Sequence, residues 1–183
     1  MSVPFKDAAE LEAGGTAAFL RLVPGRGDLR RGAALFQVNA RGAPVEFTYN
    51  RLDLPSAALW RPEQLEREAA KALAGSLFEA TRRTPLVLLC LADEVDAALL
   101  AWDLEVQIPV CRVAVHAGGE PFDPTSVEPM VSGDATAHLF WRPALPSRES
   151  PPRRLVTTLA DRGLLLEPFE RALAGFHEAF SGA

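Results

Sequence analysis

The chain has few of the sequence features from which a function is usually predicted. It contains two cysteines and two lysines in 183 residues, and no apolar run approaches the roughly 20 residues needed to span a bilayer. Cys90 and Cys111 lie in apolar segments, where a cysteine usually packs as a small hydrophobe, so a reducing compartment is expected. The N-terminal segment lacks a basic stretch followed by an apolar one, so no secretory signal is predicted. We therefore expect a soluble cytoplasmic protein with no membrane partner.

Catalytic motifs are also missing. Without GxSxG, HExxH or CxxC, the sequence predicts neither a hydrolase nucleophile nor a zinc site. The segment LVLLCLADE (residues 86–94) resembles the magnesium-binding strand of P-loop ATPases, but no GxxxxGK(S/T) motif accompanies it. Cys90, in an apolar strand, should have a raised thiol pKa, and Cys111 and His116 should point to opposite faces of one strand. No catalytic residue and no cofactor is therefore predicted.

Apolar residues make up 48% of the chain and charged residues 23%, which is typical of a folded globular protein. Strands are predicted at 17–23, 33–39, 45–50, 86–91, 110–115 and 136–141, and helices at 61–81, 94–101, 154–161 and 168–180. We expect one α+β domain over 1–183, with a mixed or mainly antiparallel sheet of about five to six strands and C-terminal helices. The run from Leu86 to Leu91 does not alternate, which predicts a central strand covered on both faces.

Two segments lack a predicted element. Residues 117–134 form a long predicted loop with several glycines and prolines, and such loops tend to be functional or mobile. Residues 143–152 are rich in proline and serine and are predicted to be a linker before the C-terminal helices, 153–183.

The last predicted helix has a strongly apolar face. That face consists of Phe169, Leu173, Phe176 and Phe180, which recur at helical spacing after Pro168. These side chains either complete the core of their own domain or form an interface with a second protein or a second copy. We take them as the candidate interface residues.

The acids after the central strand suggest an alternative function. Asp93 or Glu94 with Glu105, and with Gln107 orienting a water molecule, could form the magnesium site of a metal-dependent hydrolase or nuclease. Gln107 carries no charge to stabilise a transition state, and acidic pairs at this spacing are common by chance. A solvated acidic edge is the simpler interpretation.

The strands at 33–39 and 45–50 are predicted to form a hairpin, and in the second one Val45, Phe47 and Tyr49 alternate with polar residues. A third interpretation is nucleic-acid binding by this hairpin. Phe47 and Tyr49 on that hairpin are flanked by six arginines: Arg21, Arg26, Arg30, Arg31, Arg41 and Arg51. Arginines beside aromatic rings are typical of proteins that bind single strands. The net charge of −5 and the pI of about 5.3 argue against a nucleic-acid partner.

Charge is segregated along the chain, because residues 92–134 hold nine acids and only Arg112, whereas residues 20–61 hold seven arginines and three acids. The absence of motifs, this segregated charge and the apolar C-terminal helix together favour a non-catalytic interaction or accessory subunit of a cytoplasmic, prokaryotic-type complex. Its expected partner is another protein or a second copy, with nucleic acid disfavoured. The metal-dependent hydrolase or nuclease and the nucleic-acid-binding module are the alternatives.

Overall fold

Seven strands form one mixed sheet. The computed structural model describes residues 15–24, 30–54, 61–115 and 127–181. The strands are β1 (Thr16–Pro24), β2 (Arg30–Asn39), β3 (Pro44–Asp53), β4 (Val87–Leu91), β5 (Val110–Ala114), β6 (Val127–Ser132) and β7 (Ala135–Arg142). The helices are α1 (Pro62–Ala80), α2 (Pro151–Asp161) and α3 (Glu167–Phe180), and Leu99–Asp103 forms a π-helical turn. The strands lie in the order β3-β2-β1-β4-β5-β7-β6.

The centre of the sheet is parallel and its flanks are antiparallel. β1 pairs with β4, and β4 with β5, in parallel, whereas the other neighbouring strands are antiparallel. The α+β class is therefore confirmed, but the sheet has more strands than predicted. The missed strand, β6, lies in the predicted loop. Its Pro129 is a poor strand residue by sequence, yet β6 is an edge strand, where a proline need not remove a ladder hydrogen bond.

The β2–β3 hairpin forms as the alternation of its residues predicts. Its turn is closed by the Asn39 side chain, which accepts hydrogen bonds from the Arg41 amide at 2.9 Å and the Ala43 amide at 3.1 Å. Gly42 has a φ of 76°, which glycine adopts without steric cost. The turn therefore places Arg41 at the opposite end of the hairpin from Arg30.

Helices cover both faces of the sheet. α1 packs on the face that carries Leu88 and Cys90, and α2 and α3 pack on the face that carries Val87 and Leu89. The prediction of a doubly covered central strand is confirmed, because all four side chains are buried. Burial raises the pKa of the Cys90 thiol to about 12, so this cysteine serves as core packing.

Each of the three helices begins with a proline in its first turn: Pro62 in α1, Pro151 and Pro152 in α2, and Pro168 in α3. α2 thus starts inside the segment predicted as a linker.

Within the described residues, no helix combines the length and the apolar character needed to cross a membrane.

Gly32 on β2 allows α3 to lie close to the sheet. A methyl group built at Gly32 would overlap the ring of Phe176, whereas one built at Gly75 in α1 would meet nothing within 4 Å. We expect Gly32→Ala to lower the free energy of unfolding by about 1–3 kcal/mol, because the buried ring has to move. Gly75→Ala, the control, should raise it by about 0.5–1 kcal/mol through helix propensity. Urea denaturation measures both values, and similar shifts in the two variants would contradict this packing.

Candidate functional site

The carboxyl ends of the parallel strands β1 and β4 meet at one end of the sheet. The chain continues from β1 towards β3 on one side and from β4 towards β5 on the other, so the strand order reverses between them. In open sheets, ligands bind outside the carboxyl ends of the strands at such a reversal. Three adjoining cavities of about 310, 520 and 560 Å³ open here. This end of the sheet is the candidate site.

Arg21 on β1 and Glu94 just after β4 form a two-point ion pair at this end. Arg21 Nη2 lies 2.7 Å from Glu94 Oε1, and Arg21 Nε donates to Glu94 Oε2 at 3.0 Å. The Leu22 amide donates to the same Oε2 at 3.3 Å. Arg21 Nη1 donates to the carbonyl oxygen of Phe169 in α3 at 3.3 Å and lies 3.6 Å from Glu170 Oε1. Arg21 therefore joins β1, the segment after β4 and the first turn of α3.

Burial and ion pairing have opposite effects on the nearby carboxyl groups. Burial raises the pKa of Glu94 above its ordinary value and outweighs the charge and hydrogen bonds of Arg21, which lower it. For Glu66 on α1, the hydrogen bond from Arg31 dominates and lowers the pKa. Arg31 donates to Glu66 through both Nε and Nη2. Each of these two carboxylates is thus already bound to an arginine.

The structure separates the acids that the sequence grouped as an alternative metal site. Asp93 and Glu94 line the cavity of about 310 Å³ at the carboxyl end of β4. Glu105 lines a different cavity of about 300 Å³ beside Pro85 and Leu88, at the amino end of β4. A five-residue strand, roughly 16 Å long, separates the two ends. Glu105 is too far from the other two acids to share a metal ion with them.

The path of the chain after β4 explains this separation. Val95, Leu99 and Leu100 are buried on the α1 face, so the segment from 95 to 104 runs back along that face before β5 begins. Glu105 then lies exposed, with a φ of 42°, and the Gln107 side chain donates to its backbone carbonyl at 3.2 Å. In the part of the chain that the structure describes, no three histidine, cysteine or acidic side chains could hold a metal ion. The predicted donor set does not fit a magnesium ion.

The cavity of about 560 Å³, on the α3 side, has a basic lining. Arg30, Arg31, Arg51 and His177 contribute to it, and none of its described lining residues is acidic. We call these four residues the basic surface. The guanidinium of Arg51 lies 4.4 Å from the ring centroid of Phe180, a cation–π contact, and none of the ion pairs among the described residues involves Arg51.

The six arginines singled out in the sequence have different environments. Arg30, Arg31 and Arg51 converge on the cavity. Arg21 is partly buried in its ion pair, Arg41 lies in the hairpin turn at the far end of β2, and Arg26 lies outside the described residues. Of the two hairpin aromatics, Phe47 packs against Phe36, and Tyr49 is 47% exposed.

Sequence reasoning missed two residues of this site, Glu66 and His177. Glu66 has the position of an acid near the amino end of a helix, where the helix dipole alone accounts for it. His177 is one exposed residue near the end of α3. Nothing in the sequence shows that α1 and α3 place them beside β2.

The candidate interface residues on α3 lie against the chain's own sheet. Phe169 and Phe176 are buried, and the Phe169 ring meets Phe19 edge-on at 5.0 Å between centroids. Leu173 and Phe180 are partly buried against the same cluster. A role for this helix face in binding a partner stays a prediction, and it applies only to the parts of Leu173 and Phe180 that remain accessible.

Comparison with known proteins shows a likeness of fold. No family model matches the sequence, and no curated protein matches it either. Endonuclease V from Bacillus subtilis is similar with a TM-score of 0.56 and 11% identity, over 91% of this chain and 80% of that one. Endonuclease V from Streptomyces avermitilis has a TM-score of 0.56 and 11% identity, over 100% and 95%.

A third similar structure is endonuclease V from Ciona intestinalis in complex with a 23mer DNA containing an inosine followed by a ribo-adenosine. Its TM-score is 0.56 and its identity 9%, over 98% of this chain and 99% of that one. The interpretation as a non-catalytic accessory subunit is wrong in the light of these comparisons, because the shared fold is that of endonucleases. The preference for a protein partner over nucleic acid is contradicted too, since the Ciona protein is bound to DNA.

The Arg21–Glu94 pair can be tested by removing one charge or both. Arg21→Met leaves a largely buried carboxylate without its cation, and we expect the free energy of unfolding at neutral pH to fall by about 2 kcal/mol, less than for a fully buried pair. Adding Glu94→Gln should restore much of this loss. Arg30→Met, which breaks the exposed pair with Asp53, should cost no more than about 1 kcal/mol. Equal losses in the two single variants, measured by urea denaturation, would contradict this assignment.

The raised pKa of Glu94 predicts a specific pH dependence. Because the folded chain holds the Glu94 proton more tightly than the unfolded chain, protonated Glu94 contributes stability that is complete below its ordinary pKa of 4.5. That contribution is lost as the pH rises through the raised folded pKa. We therefore expect the stability of the wild type relative to Glu94→Gln to fall across this window and then level off. A relative stability that rises with pH over the same range would mean that folding lowers the pKa of Glu94, and it would contradict this prediction.

Proposed function

We propose that this chain binds nucleic acid at the basic surface. The observation that carries the proposal is the convergence of Arg30, Arg31 and Arg51, from two strands, on one open cavity with no described acid in its lining. Planar guanidinium groups match the oxygens of phosphate, and binding to a phosphate chain depends on such contacts. The shared fold supports the proposal, since a similar endonuclease V is in complex with DNA.

The acidity of the whole chain does not oppose this function, because a phosphate responds to the local charge. On the α1 side of the β1 end, acids outnumber the arginines Arg31, Arg61 and Arg67. There, the two smaller cavities are lined by Glu63, Glu66, Asp93, Glu94 and Asp96. This arrangement repels a phosphate chain from the α1 side and leaves the α3 side as the favourable approach.

Existing ion pairs do not block the surface. Arg30 pairs with Asp53 at 3.1 Å, but the two side chains are 59% and 75% exposed. Such pairs contribute little free energy, so Arg30 can exchange Asp53 for a phosphate at small cost. Arg31 stays bound to Glu66 and adds less net charge. Arg51, which is stacked on Phe180, is therefore the residue that we expect to contribute most to phosphate binding.

We propose binding at this surface and assign no cleavage to it. Cleavage through bound metal ions would need converging carboxylates whose oxygens are not already engaged. In the described lining of the cavity of about 310 Å³, Glu94 is held by Arg21 and the Leu22 amide, and Glu66 by Arg31. Asp93 is the one acid of this lining without such a contact, and a single carboxylate is not a converging set. The arginine contacts of the basic surface need no metal.

Binding at this surface should depend steeply on salt. We expect a fluorescent oligonucleotide of about 20 nucleotides to bind at about 50 mM salt and to weaken strongly towards about 200 mM, because neutralised phosphates release counterions. Arg51→Ala should weaken binding several-fold at every salt concentration and reduce the slope of log affinity against log salt by about 0.7–0.9. Fluorescence anisotropy titrations measure both quantities.

Arg41→Ala is the matched control. Arg41 is an exposed arginine of the same hairpin, at its far end, so its loss removes the same charge without touching the basic surface. Its affinity and salt slope should equal those of the wild type. The absence of binding at low salt, or equal effects of Arg41→Ala and Arg51→Ala, would overturn the proposal.

A further inference from the structure

An exposed aromatic ring lies directly beside the basic surface. Tyr49 on β3 is 47% exposed, although most large apolar side chains of the sheet are covered. Its ring contacts two neighbouring rings: Phe47 at 5.5 Å and Phe180 at 5.4 Å between centroids. The second contact is edge-to-face, with 87° between the ring planes. Tyr49 is thus an aromatic side chain that is positioned by two other rings and is still about half exposed to solvent.

Tyr49 and Arg51 share one face of β3. They are two residues apart on an extended strand, so their Cα atoms lie about 7 Å apart along it. Phe180 joins them, because its ring contacts Tyr49 and lies under the Arg51 guanidinium. An aromatic ring and a guanidinium held side by side match the base and the phosphate of one nucleotide.

We propose that the basic surface takes single-stranded nucleic acid, with a base stacked on Tyr49 and its phosphate bound by Arg51. This inference rests on the proposed function. In a duplex, the base faces are covered by neighbouring base pairs, so an aromatic ring on a protein surface cannot reach them. In a single strand these faces are accessible, and stacking on an aromatic ring accepts any base. The surface is therefore expected to bind single strands more tightly than duplex, without a preference for base sequence.

The test compares single- and double-stranded DNA of equal length, for the wild type and the Tyr49 variants, between about 50 and about 200 mM salt. The wild type should bind oligo-dT more tightly than the duplex. Tyr49→Ala should weaken oligo-dT binding by roughly tenfold, since stacking contributes about 1–3 kcal/mol per base, and should leave the salt slope unchanged because no charge is lost. Tyr49→Phe keeps the ring and should bind like the wild type. Melting temperatures check that the variants are folded.

The outcomes separate this inference from the proposed function. If Arg51→Ala weakens binding but Tyr49→Ala does not, or if single strands and duplex bind equally, the single-strand inference fails and the proposed function stands. If Tyr49→Ala weakens duplex binding as much as oligo-dT binding, stacking on Tyr49 is also refuted. If neither DNA binds at low salt, both proposals fail together.

Discussion

The ion pair between Arg21 and Glu94 determines which groups remain available at the candidate site. It lies where the carboxyl ends of β1 and β4 meet, and it also holds the first turn of α3 through the carbonyl oxygen of Phe169. Because Glu94 already binds Arg21 and the Leu22 amide, this carboxylate stabilises the fold and is not available to a ligand. The exposed arginines are therefore found beside the pair, on the part of the surface that α3 shares with β2 and β3.

The position of α3 connects the fold to the basic surface. Phe169 and Phe176 bury the helix against the sheet, and Gly32 provides the space for the Phe176 ring. One turn further along, Phe180 supports Arg51 on its ring face and contacts Tyr49. The apolar stripe of α3 thus has two roles: its first part completes the core, and its last residue positions the groups that face solvent.

The sequence predicts the elements of this protein well and the site only in part. Alternation in the second hairpin strand, the continuous apolar run of β4 and Pro168 at the start of the last helix are local signals, and the structure contains all three elements. Pro151 and Pro152 were assigned to a linker, yet they begin α2. β6 was missed because Pro129 looks like a loop residue unless the strand is known to lie at an edge. The grouping of Glu94 with Glu105 failed because a separation of eleven residues does not show that the chain returns to the opposite end of β4.

The same limit explains why overall charge gave the wrong partner. The pI of about 5.3 describes the whole chain, whereas the cavity of about 560 Å³ has three arginines and no acid among its described lining residues. Arg31 stands at the boundary, because it lines both the acidic cavity of about 310 Å³ and the basic one of about 560 Å³ and donates to Glu66. With Arg31 largely neutralised by Glu66, the net positive charge of the basic surface comes mainly from Arg51. A polyanion that binds there therefore meets a small, directional site instead of a broad basic field. A site of this kind depends on contacts such as ring stacking as much as on charge.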